Sequence, residues 1–177
     1  MALGIANAGC LVSVAKEDGQ SADSLMTENI VKMYSRRFAS QTNNYIWLYN
    51  QSIEPQLFTM SASVGTGGVP VFMPPGGLAD APYARIMGRP AYAIEQCAAL
   101  GDKGDIFFAN FNDGYIIAEK GGLQQNMSIH VRFVYDESLL RFVLRMDGQP
   151  WRASALTPYK GGSGATQSHF VTLDERA

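Results

Sequence analysis

At 177 residues the chain is long enough for one domain, or one domain with an appendage, and a domain of about 150 residues buries roughly 70% of the surface its unfolded form exposes. Apolar residues make up 46% and charged residues 17%, which suits a globular fold and leaves part of the apolar surface for interfaces. With 14 lysines and arginines against 16 acids the formal charge is -2, so no basic footprint argues for direct nucleic-acid binding and no acidic tail for a basic partner.

The first eleven residues are apolar but lack a positive n-region and are broken by glycine and asparagine, so they read poorly as a signal peptide. No run approaches the roughly 20 apolar residues of a membrane helix, and a soluble cytosolic product is expected. Leu11 to Ala15 is a short strand candidate. The polar loop from Lys16 to Ser24 ends in residues suited to cap a helix. Beyond it Met26, Ile30, Met33, Tyr34, Arg37 and Phe38 fall at helical spacing, with Glu28, Lys32 and Arg36 on the other side. Tyr45 to Tyr49 is an aromatic-rich apolar run too short for a helix, which predicts a strand covered on both faces. Ser52 is placed to cap a short helix through Met60, with Pro55 tolerated in its first turn.

Glycine and proline alternate around an apolar centre from Val64 to Pro82, which predicts an extended surface loop or hairpin. Its Gly65-Thr-Gly-Gly68 lacks the spacing of a phosphate-binding loop. An exposed apolar loop centre is costly on a monomer, so a partner subunit is the natural cover for Phe72, Met73, Pro74 and Pro75. Strands are predicted over Ala91–Gln96, Asp105–Phe111 and Tyr115–Glu119, parted by turns at Gly101–Gly104 and Asn112–Gly114. Met127, Ile129, Val131, Phe133 and Tyr135 alternate with Ser128, His130, Arg132 and Val134, the period of a strand with one wetter face. Phe142, Leu144 and Met146 repeat it, Asp147-Gly148 reads as a turn, and Trp151 to Leu156 as a returning strand. The end, from Gly161 to Ala177, reads as a linker and short extension, disordered or laid on a neighbour.

Little in this chain points to catalysis. Cys10 and Cys97 lie far apart outside any metal-binding spacing, and read as buried thiols. His130 and His169 lack the partners of a triad or dyad. Asp102 and Asp105 have a sufficient local reason in their glycine turn, since the side chain caps backbone donors. No catalytic, cofactor or metal residues are assigned, and no enzyme activity is expected. Arg132, Arg141, Arg145 and Arg152 in the long strand pair read as a solvated face or as partners in ion pairs between subunits.

Read in order, Ile86-Met-Gly-Arg-Pro90, Glu95, Leu100-Gly-Asp102, Gly104-Asp-Ile106, Tyr115-Ile-Ile117, Phe133, Arg141-Phe142 and Arg145-Met-Asp-Gly-Gln149 resemble the C-terminal half of the HK97-type major capsid protein of tailed bacteriophages. Ala155-Leu-Thr157 is similar to the closing strand of that family's ladder. The helix from Met26, with Trp47-Leu-Tyr-Asn50 after it, is similar to the first helix and strand of its axial domain. The resemblance implies an α+β fold with a central sheet flanked by helices and a partial strand ladder. It places a partial strand and loop at 1–23, the axial domain at 24–123, incomplete peripheral strands at 124–160 and a C-terminal extension at 161–177. In the family the N-terminal arm, extended loop and spine helix precede the point matching Gly4-Ile5, so the chain resembles a piece beginning mid-domain, as from a truncated prophage gene. The resemblance places Ser138 and Arg145 where some members carry the asparagine and glutamate of an isopeptide crosslink, and no such crosslink is expected here.

By the same resemblance the chain is a structural subunit, or fragment, of an icosahedral capsid made in the host bacterial cytoplasm. It would form pentamers and hexamers that enclose double-stranded DNA. Its partners would be neighbouring copies, with scaffold, portal and packaged DNA reached through the shell interior, and no membrane. A non-capsid interaction module, or a nanocompartment shell protein with the same wedge fold, is the alternative. Arg36, Arg37, Phe72, Met73, Pro74, Pro75, Arg132, Arg145 and Arg152 are the expected contacts between subunits.

Overall fold

The computed structural model describes residues 2–39, 44–64, 67–70, 72, 85–162 and 164–176. In chain order the strands are β1 (Val12–Val14), β2 (Ile46–Tyr49), β3 (Ser61–Val64), β4 (Gly67–Pro70), β5 (Arg85–Ile86) and β6 (Arg89–Ala93). There follow β7 (Ile106–Ala109), β8 (Tyr115–Glu119), β9 (Gln124–Arg132), β10 (Glu137–Val143), β11 (Met146–Pro150) and β12 (Phe170–Leu173). The α-helices are α1 (Thr27–Ser35), α2 (Glu54–Thr59) and a single turn, α3 (Phe111–Gly114).

Six strands form one mixed sheet in the order β1-β12-β7-β2-β6-β5. Its centre is aromatic because β2 and β7 bring Trp47 opposite Phe108 in an antiparallel register. The Trp47 and Phe108 rings stack at 4.2 Å between centroids, Tyr45 stacks on Phe108 at 4.8 Å, and the Trp47 indole donates to the Ile86 carbonyl at 3.0 Å. Buried in this way, tryptophan contributes a large apolar area and still satisfies its single donor. The Tyr45, Trp47 and Tyr49 side is fully covered while Ile46 and Leu48 stay half-buried, so the expected two-sided burial holds for one face of β2 only.

Strand β12 corrects the expectation of a linker and a loose extension at the C-terminus. It lies inside the sheet between β1, which it meets in parallel, and β7, which it meets antiparallel, and all four of its residues are buried. The long step from β11 to β12 therefore carries the last residues back to the body of the fold, bridging between Leu156 and Gln167 and between Ser168 and Arg37 on the way. The returning strand expected at Trp151–Leu156 is irregular chain apart from the bridge at Leu156.

Helix α1 buries Ile30 and Met33 as their spacing requires. Its cap differs from expectation: Asn29, in the first turn, accepts from the Met26 backbone at 2.9 Å and joins Gln20 through paired amide hydrogen bonds, while Ser24 turns back to the Ser21 carbonyl. Asn50 caps the 3-10 turn at Gln51–Ile53 that leads into α2, its side chain accepting from the Ser52 backbone, and the Ser52 hydroxyl accepts from the Leu100 backbone instead. Asn110 caps α3 in the same fashion, which makes a helical turn of the expected Asn112–Gly114 turn.

Outside the main sheet lie three two-stranded pairs: β3 with β4, β8 with β11, and β9 with β10. Asp147-Gly148 falls inside β11, opposite Ala118 and Ile117, and is a strand segment where a turn was expected. Glycine is needed there because a Cβ at 148 would stand 2.7 Å from the Tyr115 ring, whose hydroxyl donates to the Leu3 carbonyl at 2.8 Å. The turn that reverses the chain lies earlier, at Phe133–Tyr135, where Asp136 adopts a left-handed conformation with φ of 54°.

Candidate assembly surface

The β9–β10 hairpin is the most exposed part of the described chain. Its antiparallel register puts Met127 opposite Leu140 and Gln125 opposite Phe142, while Asn126 faces Arg141 and Arg132 faces Glu137. Residues directly opposite one another share a face of the ribbon. One face therefore carries Met127, Leu140 and Phe142, and strand alternation adds Ile129 and Val131. The other carries Arg132, Glu137, Arg141 and His130, with the exposed Leu139 among them opposite Ser128. All of the large apolar side chains on the first face are exposed, and at the tip Phe133, Val134 and Tyr135 are 74%, 90% and 73% open. Isolated exposed apolar residues are ordinary, but a contiguous row marks an interaction surface.

The expected contact residues separate into distinct environments. Phe72 is 1% exposed, with edge-on aromatic contacts to Phe58 at 5.3 Å and Tyr49 at 6.3 Å. Its ring is spent on the chain's own core, which corrects the expectation that it meets a neighbour; Met73, Pro74 and Pro75 lie outside the described residues. Arg36 donates from Nε to the Thr166 carbonyl and from Nη2 to the Thr166 hydroxyl, both at 2.6 Å. Arg37 lies over the Tyr34 ring at 3.8 Å and donates to the Tyr34 carbonyl. Both arginines thus tie the end of α1 within the chain. Arg132 forms an exposed 3.0 Å ion pair with Glu137 across the hairpin, and Arg145 is exposed beside Lys120 at the junction with β8 and β11. Arg152 is half-buried, with its guanidinium 5.4 Å from the Phe38 ring centre.

Among the described residues the titratable groups of the body do not converge on a cleft. Asp105 is fully buried against Arg176, and His130 stands on the exposed hairpin, so the pair of turn aspartates and this histidine make no shared site. His169 is buried beside Phe38, its ring edge-on at 5.0 Å, and its Nδ1 has no hydrogen-bond partner among the described residues. Desolvation, then the Arg152 charge, lowers its pKa, with Asp113 acting in the opposite direction. Burial pushes the thiol of Cys97 up to about 11, Asp105 adding to the effect, and burial also raises that of Cys10. Neither is a ready thiolate. Among the described residues no three acid, histidine or cysteine side chains are grouped to hold a metal ion. An open apolar groove of about 360 Å³ runs beside Ile5, Leu48, Cys97, Phe107, Phe111 and Tyr115, without charged side chains to orient a polar substrate.

Sequence reasoning missed Arg176 and the strand before it. The signal was present in Phe170-Val171-Thr172-Leu173, a run of aromatic and β-branched residues, but the glycine-rich stretch ahead of it reads as the start of a tail.

The family model described as the phage capsid family matches residues 1–161. Among solved structures, the chain is similar to the capsid of an empty GTA particle computed with C5 symmetry, at 20% identity and a TM-score of 0.65. It is similar also to the capsid of a native GTA particle computed with C5 symmetry, at 19% identity and a TM-score of 0.63. Each likeness covers 96% of this chain and 51% of the capsid chain, so the present chain spans about half the length of the structures it matches. No curated protein matches it.

Proposed function

Because the chain belongs to the phage capsid family and carries the HK97-like capsid fold, we propose that it is a structural subunit of an icosahedral phage or prophage head. In this reading copies of the body pack around fivefold and sixfold axes, and the resulting shell encloses double-stranded DNA. Residues 24–123 supply the axial wedge and 124–160 the peripheral strands. Closed rings need a heterologous contact, in which one flank of a subunit fits the opposite flank of the next, and many such contacts of modest area sum to a rigid shell. Neighbouring copies are then the principal partners, with scaffold, portal and packaged DNA meeting the shell from within. Arg132, Arg145 and Arg152 remain the proposed ionic contacts, while Arg36 and Arg37 would contribute only by redirecting side chains now used internally.

The observation that carries this reading is the division of the molecule into a well-packed sheet body and a long hairpin with a wholly exposed apolar face. Such an arrangement has surfaces to join, and among the described residues no titratable groups converge to react. The test is electron microscopy of the purified chain together with sedimentation across a concentration series. Rings of five or six subunits, or closed particles, are the expected result. Failure to form any species of fivefold or sixfold symmetry at high concentration would overturn the proposal in favour of a non-capsid interaction module.

A further inference from the structure

We propose that His169 and Arg152 form an acid-sensitive latch: protonation of the buried imidazole lets the strap between β11 and β12 lift away from the end of α1, while β12 stays in the sheet. The strap is described at 151–162 and 164–168, and much of it is exposed irregular chain. It is held at few points. Leu156 and Gln167 exchange a pair of backbone hydrogen bonds at 2.8 Å, and Arg36 binds Thr166 through two side-chain bonds. Ser168 donates to the Arg36 carbonyl at 3.1 Å and accepts from the Phe38 backbone at 2.8 Å. Segments tied by a handful of hydrogen bonds open locally at a fraction of the cost of global unfolding.

Both halves of the latch are buried polar groups left unsatisfied. His169 is 5% exposed, and neither its Nδ1 nor the buried Nε of Arg152 has a hydrogen-bond partner among the described residues. The imidazole and the Arg152 guanidinium approach the same Phe38 ring. A neutral imidazole can keep its one proton on Nε2 and leave Nδ1 a bare acceptor, whereas the imidazolium carries a donor on both nitrogens. Protonation therefore adds a buried unpaired donor and a second cation near Arg152, and both are costly. The surrounding elements offer little relief. Asp113, from α3, already accepts from the Asn110 side chain at 2.8 Å, and its favourable effect on the imidazolium is outweighed by burial and Arg152. Arg36 and Arg37, from the end of α1, are engaged with Thr166 and Tyr34, and the Cys10 thiol, ahead of β1, meets the Ser168 side chain. In the lifted strap the ring reaches water and regains its ordinary pKa, so the open form binds the proton more tightly than the closed one. The latch is fully closed above the ordinary histidine range and loosens as the pH falls through 6.5. Opening also frees the guanidiniums of Arg36 and Arg152. The inference goes beyond the proposed shell function and does not depend on it.

The experiment is hydrogen exchange of the purified chain, read residue by residue by NMR, with each rate divided by the intrinsic rate at that pH. The amides of Phe38, Leu156, Gln167 and Ser168 report on the strap, and those of β7 report on the sheet. The strap amides are expected to be the less protected set and to be insensitive to subdenaturing urea, the mark of an opening that exposes little surface. Their opening constant should rise at least about fivefold between pH 7.5 and pH 5 in the natural chain, and less than about twofold in His169→Gln. Circular dichroism at pH 7.5 checks that the variant is folded. If it is not, Arg152→Gln decides in its place, because it keeps the imidazole, removes the opposing charge and should give a smaller rise than the natural chain. Strap amides that share the urea dependence of β7 overturn the inference, since the opening is then global. So does a rise short of fivefold in the natural chain, and so does a rise that persists undiminished in the deciding variant.

Discussion

The carboxylate of Asp105 and the guanidinium of Arg176 meet where neither side chain retains solvent exposure, joining the turn before β7 to the penultimate residue. The same guanidinium donates from Nε to the Ser24 carbonyl at 2.7 Å, and the Arg176 backbone closes onto Gly101 and Asp23. Asp105 in turn accepts from the Gly101 backbone at 3.2 Å. The pair therefore clasps three distant stretches of chain, and it explains why the C-terminus is fixed after β12.

Breaking one side of this clasp leaves an uncompensated buried charge, which costs about 3–5 kcal/mol. Asp105→Asn and Arg176→Met should each lower the unfolding free energy read from urea denaturation by an amount of that order. The double substitution should be less damaging than the sum of the two, because it removes both charges together. Equal and additive losses would show that the pair does not act as a unit.

Phe72→Ala discriminates core anchor from subunit contact. With the ring 1% exposed and held by Phe58 and Tyr49, the expected loss is about 3–5 kcal/mol of stability in the isolated chain. A contact residue would instead leave the melting temperature unchanged and weaken association.

Gly114 ends α3 directly beneath β12, and a Cβ there would lie 2.6 Å from the His169 Cβ and 3.0 Å from the Phe170 ring. Both neighbours belong to the buried layer, so neither gives way freely. Gly114→Ala should destabilise the chain by about 1–3 kcal/mol through overpacking, read as a shift in chemical denaturation midpoint at unchanged slope.

His169 sets a pH dependence. Its folded-state pKa lies below the ordinary value of 6.5 because burial, then the Arg152 charge, disfavours the imidazolium. The unfolded chain thus binds the proton more readily, and stability rises with pH across the interval between the two values. The contribution is complete above the ordinary histidine range and is lost as the pH falls through 6.5 toward the folded-state value. The melting temperature of the natural chain should drop more steeply than that of His169→Gln between about pH 7.5 and pH 5. Parallel curves would remove His169 as the cause.

The hairpin ribbon was legible in the sequence because period-two alternation from Met127 to Val131 survives whatever the ribbon later touches. The Ile30 and Met33 face of α1 was legible for the corresponding helical reason. Caps were less so: Asn29, Asn50 and Ser52 all have cap-forming side chains, and which backbone donor each one meets depends on where the chain ends up. The same holds for Asp147-Gly148, a pair with turn chemistry that is held extended by its neighbour β8, with Tyr115 filling the space a side chain would need.

Alternation, being local, was enough to read strands, one amphipathic helix and an apolar-faced ribbon from the sequence. Only the folded arrangement decided that β12 enters the sheet between β1 and β7, that Arg176 finds Asp105, and that Phe72 turns inward while Met127, Leu140 and Phe142 stay open. Those outcomes join residues distant in sequence, and their energies come from burial and desolvation, which exist only once the whole chain has closed around them.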